Sequence, residues 1–260
     1  MTPKSRRTIL TLAGLGLGYA GLRAAVLNWP QSLVYEPLAA PAGFRRLQGG
    51  SSSGAFDPLV GLSAPDAPST RAAKDRMRAD VLRAPCAALY GTLTLTPDQV
   101  PIASFSDYFC PFCRVQTEQI ADLVARSPDT LAVAWHEMPI LSDMSNGAAK
   151  LALAAKRQDA YVAAHARLMR IRFRDSPQFL EDFSRDLGLD HNRLLRDIQS
   201  PGLARELAVS AAVASALRFV GTPALVVGHT IVQGQITEKT LRRIIEDVRA
   251  SDWHNACMGG

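Results

Sequence analysis

Two cysteines three positions apart stand where an extended segment meets a helical one, in the run Tyr108-Phe109-Cys110-Pro111-Phe112-Cys113-Arg114. Ahead of them, Val100 to Phe109 (VPIASFSDYF) is apolar and rich in β-branched and aromatic residues, which predicts a buried strand. Behind them, Pro111 occupies a first helical position, and Val115, Ile120, Leu123 and Val124 recur at helical spacing as far as Arg126. Cys110 therefore sits at a strand–helix junction, with Cys113 one turn further in. A second strand is predicted over Thr130 to Ile140. From Leu141 to Val220 five helical segments follow, separated by short turn signals. Pro223 to Val227 and Thr230 to Gln233 then read as a hairpin across Gly228-His229, and Thr237 to Arg249 as an amphipathic closing helix. Strand, helix, strand, helical block, hairpin and helix in that order define a compact α/β domain.

The chemistry of the pair is approached by elimination. Structural zinc requires about four ligands, and no second CxxC or paired histidines accompany this one; Cys86, Cys257 and the five histidines are scattered. Covalent haem needs histidine directly after the second cysteine, where this chain has Arg114. A purely structural disulfide stays open, although a bridge closing so short a loop constrains the unfolded chain little. A reactive redox pair uses the placement best. Free N–H groups and the positive dipole end at a helix start stabilise a thiolate, so Cys110 is expected to have a depressed pKa and to be the exposed nucleophile, with Cys113 shielded as the resolving thiol.

Charge bears on where the chain works. Its 260 residues, 47% hydrophobic, suffice for a sizeable core, and the formal charge is +5. Lys4, Arg6 and Arg7 stand in a segment without acids, so without residues 1–20 the balance is 26 basic against 24 acidic residues. No basic block with interleaved aromatics follows, which argues against nucleic acid as a partner. Residues 1–27 read as an export segment: a basic start, an apolar run, and Gly18-Tyr19-Ala20 as a small-x-small cleavage site. Ser5-Arg6-Arg7-Thr8-Ile9-Leu10 resembles the twin-arginine export motif. Uncleaved, Thr8 to Leu27 is long enough to anchor the chain in a membrane. Residues 28–84, rich in Pro, Gly, Ala and Ser, read as a linker and N-terminal extension ending in a basic helix from Ser69 to Arg83, which Ser69 would cap. Residues 85–252 form the catalytic domain and 253–260 a tail. Cys86 and Cys257 flank that domain and are expected to form a second, structural disulfide in an oxidising compartment, the alternative being two separate thiols.

The run FSDYFCPFCR, the strand ending HEMPI, the helical block and Gly221-Thr222-Pro223 ahead of a hairpin resemble the DsbA family of bacterial thiol:disulfide oxidoreductases. The resemblance covers roughly Cys86 to Ala250. It implies an α/β, thioredoxin-like fold with an inserted all-helical subdomain over about 141–220, and catalysis by a Cys110–Cys113 redox disulfide with no other cofactor or metal. It further implies a cis Pro223, Thr222 against the active site as part of the substrate-binding loop, and tuning of the redox potential by Pro111 and Phe112. Two departures stand out. Ser104 occupies a position where many relatives carry an acid that assists the resolving thiol. Asp107 is present as in relatives, but is expected to face another side of the strand. His136, Glu137 and His165 read as structural or solvated groups.

The resulting expectation is a periplasmic enzyme that forms or exchanges disulfides in cysteine-containing exported proteins, with a DsbB-like or DsbD-like membrane redox partner. An isomerase or reductase of the same fold is the nearest alternative. A non-catalytic adaptor or holdase is the alternative from another class, although a mere binder has no use for an acidic thiol.

Overall fold

The computed structural model describes residues 33–47 and 67–258. The proposed export segment, and the Gly/Ser-rich part of the linker, lie outside the described residues. All elements below belong to the unit that starts at Tyr35.

The described elements, in chain order, begin with two short strands, β1 (Tyr35–Pro37) and β2 (Arg45–Leu47), and two helices, α1 (Pro68–Arg83) and α2 (Pro85–Tyr90). The central part is β3 (Val100–Ser106), α3 (Pro111–Ala125) and β4 (Leu131–Glu137). Five helices follow: α4 (Asp143–Lys156), α5 (Tyr161–Arg170), α6 (Pro177–Asp186), α7 (His191–Ile198) and α8 (Pro201–Ala216). The hairpin β5 (Ala224–Val227) and β6 (Thr230–Gln233), then α9 (Glu238–Arg249) and α10 (Trp253–Met258), complete the chain.

One six-stranded sheet organises the unit, in the order β1-β2-β6-β5-β3-β4. β3 pairs parallel with β4, from Val100↔Leu131 to Ser106↔Glu137, and antiparallel with β5, so all seven of its residues are buried. Two parallel strands need a crossover, and α3 supplies it. Burial on both faces is why the β3 sequence reads as a continuous apolar run rather than an alternating one. The fold class is therefore the expected one, with the helical block inserted between β4 and β5.

The insertion makes its own core around Leu151, Leu168, Phe183, Leu194 and Leu203, and that core is continuous with Tyr108, Cys110 and Cys113. Its helices start where polar caps fall: Ser142, Ser176 and Asp190 each accept a hydrogen bond from the backbone N–H three residues on. A second core, with Phe105, Val213 and Val226, joins the sheet to α1, α2 and α8.

The N-terminal stretch departs from expectation. Residues 35–47, inside the segment read as a linker, contribute two strands, and β2 pairs parallel with β6 from Arg45↔Thr230 to Leu47↔Val232. Phe44 is fully buried, and the Tyr35 hydroxyl donates to Asp247 on α9 at 2.8 Å. Three-residue strands are too short to show a period, and what holds them is backbone pairing, to which composition is blind. The helix predicted from Ser69 starts at Pro68 instead, with Ala67 at its N-cap and no side-chain cap, because proline fits the first turn without needing its missing N–H. The expected tail also takes part: α10 buries Trp253, and Cys257 is bonded to Cys86, with Cα atoms 5.3 Å apart.

Candidate active site

β3 ends at Ser106 and α3 begins at Pro111, leaving four residues to turn the chain. Cys110 is the N-cap of α3. Its N–H donates to the Asp107 carbonyl (3.1 Å), and its Sγ accepts from the Cys113 N–H (3.2 Å), the place a serine or aspartate oxygen fills in an ordinary cap. Pro111 is exposed at the first helical position, while Phe112 and Phe109 are half-buried and pack against the core that holds both cysteines. The Thr222–Pro223 peptide is cis, and the Thr222 carbonyl accepts from the Cys110 thiol at 3.4 Å. The Pro223 carbonyl in turn accepts from the Gly234 N–H at 2.8 Å. The two sequence motifs, more than a hundred residues apart, thus meet at one sulfur.

Both thiols are fully buried, whereas Cys110 was expected to be exposed at the helix start. The Thr222 carbonyl lies on its sulfur, and Phe109 and Phe112 pack against the core that holds it. Cys113 behaves as a shielded group. Burial pushes its thiol far above the ordinary cysteine range, the hydrogen bond to Cys110 and the charge there push further, and the Asp107 backbone and Thr222 side chain oppose this only in part.

Asp107 lies beyond the strand, in the turn, and its buried carboxylate is occupied by backbone. Oδ1 accepts from Phe109 N–H (2.8 Å); Oδ2 accepts from Ile140 and Leu141 N–H (2.9 and 3.1 Å). It holds the active-site turn against the connection after β4. Ser104 is buried in β3 between Trp135 and Leu225. Among the described residues the buried acids are Asp107 and Glu137.

Glu137, His165 and their neighbours form a cluster that sequence reasoning set aside. Tyr108 and Tyr161 each donate a hydroxyl to Glu137 Oε1 at 2.6 Å. His165 Nδ1 lies 2.8 Å from the Tyr108 oxygen, and Trp135 packs beside the imidazole at 4.8 Å between centroids. Burial, and next the Glu137 charge, raise both phenols well above the usual tyrosine range, so they stay protonated as donors. The only hint in sequence was a tyrosine two positions before the CxxC. His136 is separate: it stacks on Phe105 (4.3 Å) and its Nε2 contacts the Leu89 carbonyl. No group of three or more His, Cys, Asp or Glu among the described residues has the arrangement of a metal site.

A family model described as the DSBA-like thioredoxin domain matches residues 101–246, more than half of the chain, and the chain belongs to that family. It is a protein-disulfide oxidoreductase of the DsbA type. Among solved structures, a thioredoxin-like oxidoreductase from Silicibacter pomeroyi DSS-3 is 31% identical, covering 64% of this chain and 98% of its own, with a TM-score of 0.58. The catalytic domain of Proteus mirabilis ScsC is 24% identical (68% and 98% covered, TM-score 0.55). The thiol-disulfide exchange protein alpha-DsbA2 from Wolbachia pipientis is 20% identical (71% and 100% covered, TM-score 0.58). These last two attest the fold. No curated protein matches the chain.

Proposed function

We propose that this oxidoreductase is exported to the periplasm by residues 1–27 and that its Cys110–Cys113 pair accepts electrons from thiols of other exported proteins. One observation carries the reading: Cys110 Sγ is at the N-terminus of α3, receives the Cys113 N–H, and abuts the carbonyl that precedes Pro223. The N–H and the helix dipole favour negative charge on this sulfur, whereas the Thr222 carbonyl accepts from it in its protonated form, and burial holds Cys113 protonated. Oxidation of a substrate then runs in two exchanges. A substrate thiolate attacks the Cys110 sulfur of the disulfide, releasing Cys113; a second substrate thiolate displaces Cys110, leaving the substrate oxidised and the pair reduced. A DsbB-like membrane partner restores the disulfide. The Cys86–Cys257 bond suits an oxidising compartment. Among the described residues no helix is long and apolar enough to cross a membrane.

Direction is tested by equilibrating the purified protein with glutathione and quantifying the Cys110–Cys113 thiols by alkylation and mass. A potential near roughly −120 mV supports the oxidase; one near −270 mV makes the protein a reductant fed by a DsbD-like partner. No equilibrium at all would return the adaptor reading.

A further inference from the structure

We propose that Glu137, Tyr161 and His165 are positioning residues for disulfide exchange, acting through Tyr108 to hold the turn that carries Cys110; this rests on the redox reading given above. The hydrogen bonds converge from three elements. Glu137 ends β4, Tyr161 and His165 lie on α5 in the helical insertion, and Tyr108 belongs to the turn between β3 and α3. Each phenol has one hydrogen, and both are directed at Glu137 Oε1. The 2.8 Å contact between Tyr108 and His165 therefore needs its hydrogen from Nδ1. The Tyr108 ring is thus held from both sides, accepting from the insertion and donating to the sheet.

The arrangement is costly for stability alone. Glu137 Oε2 and His165 Nε2 are both buried without a hydrogen-bond partner, and a buried polar atom left unpaired destabilises the fold. Replacing buried polar groups by apolar residues of similar volume is often neutral or stabilising. Placement supplies the compensating use. Tyr108 is two residues before Cys110, and Asp107 ties the short backbone stretch that joins them: its carboxylate accepts from Phe109 N–H and its carbonyl from Cys110 N–H. A shift of the Tyr108 ring is therefore passed to Cys110, whose Sγ depends on contacts of 3.2 Å to Cys113 N–H and 3.4 Å to the Thr222 carbonyl. Those contacts stabilise the reduced pair. Loosening them makes the disulfide harder to reduce.

The test equilibrates the full-length protein and its Tyr108→Phe, Tyr161→Phe and Glu137→Gln variants with glutathione, alongside urea unfolding of each. Tyr108→Phe and Glu137→Gln are expected to shift the equilibrium at least threefold toward the disulfide, and Tyr161→Phe in the same direction by less. Variants that lose stability but keep the wild-type equilibrium would show the cluster to be structural and overturn the proposal, as would a shift toward the dithiol. If Glu137→Gln does not fold, the two phenylalanine variants, each lacking one hydroxyl, decide. A wild-type protein that never equilibrates with glutathione defeats the redox reading itself, and with it this one; equal constants in wild type and variants defeat only the positioning role.

Discussion

At the scale of single residues, the two cysteines differ less in exposure than in what surrounds each sulfur. Both are buried, yet Cys110 receives a helix N-terminal N–H while Cys113 is pushed up in pKa by the surrounding core. On this asymmetry we propose that Cys110 attacks and Cys113 resolves. With Cys113→Ser, mixed disulfides between Cys110 and protein partners should accumulate, because no thiol remains to release them. With Cys110→Ser the remaining thiol is a turn inside α3, and few adducts should form. Thiol-trapped cell extracts run on non-reducing and reducing gels compare the two, and the reverse pattern would exchange the roles. The CxxC, the Thr-Pro and the capping position were all legible in sequence. The burial of Cys110 was not, because the Thr222 loop and the core of the helical insertion, both distant in sequence, meet it only once the domain has folded.

Among the elements, α4 shows how tightly the helical insertion is packed beside the site. Its buried face is mostly alanine and leucine, and Gly147 stands in the middle of the helix, where a Cβ would come within 2.8 Å of the Phe173 ring. Gly147→Ala sets two effects against each other. Removing a mid-helix glycine gains up to about 1 kcal/mol, and overpacking a core costs roughly 1–3 kcal/mol. Phe173 is buried and held edge-on against Phe179, with centroids 5.5 Å apart, so it has little room to yield. We expect net destabilisation of about 1 kcal/mol, read as a lower urea midpoint; a higher midpoint would mean that the ring moves freely. The five helices of the insertion were readable as helical segments separated by turn signals, since both are local; their caps were not read. The strands β1 and β2 were not, because a three-residue strand is specified by the backbone it pairs with, β6 for β2 and β2 in turn for β1, rather than by itself.

Over the whole molecule, the Cys86–Cys257 bond spans 171 residues and ties α2 to α10. In the chain-entropy view a loop of that length is worth roughly 5 kcal/mol, and natural bridges commonly give about 2–5 kcal/mol. Cys257→Ser should lower the free energy of unfolding by an amount in that range, and an unchanged urea midpoint would contradict it. Acid sensitivity follows from two histidines held neutral. Burial lowers the pKa of His136, and burial with the Arg45 charge lowers that of His229 to about 4. Unfolded histidines bind protons near a pKa of about 6.5, so below that pH the unfolded state takes up protons that the native state refuses. Stability should therefore be fully present above about pH 7 and fall as the pH drops toward 5. Urea midpoints of the oxidised protein across that range measure it, and a flat or rising trend toward acid would be the wrong sign.

The sequence by itself determined what is local. An apolar run followed by Cys-Pro-x-Cys at a helix start sets a strand–helix junction with a sulfur at the cap, and polar residues before apolar periods set where helices begin. These depend on neighbours within a turn or two, so they can be read along the chain. The tertiary structure decided what depends on distant partners. It brought Thr222 onto Cys110, joined Cys257 to Cys86, recruited residues 35–47 into the sheet, and closed Glu137, Tyr161 and His165 around Tyr108. Each of these is a contact between side chains or backbones far apart in sequence, whose energy comes from burial and hydrogen bonding that exist only after the layers have packed.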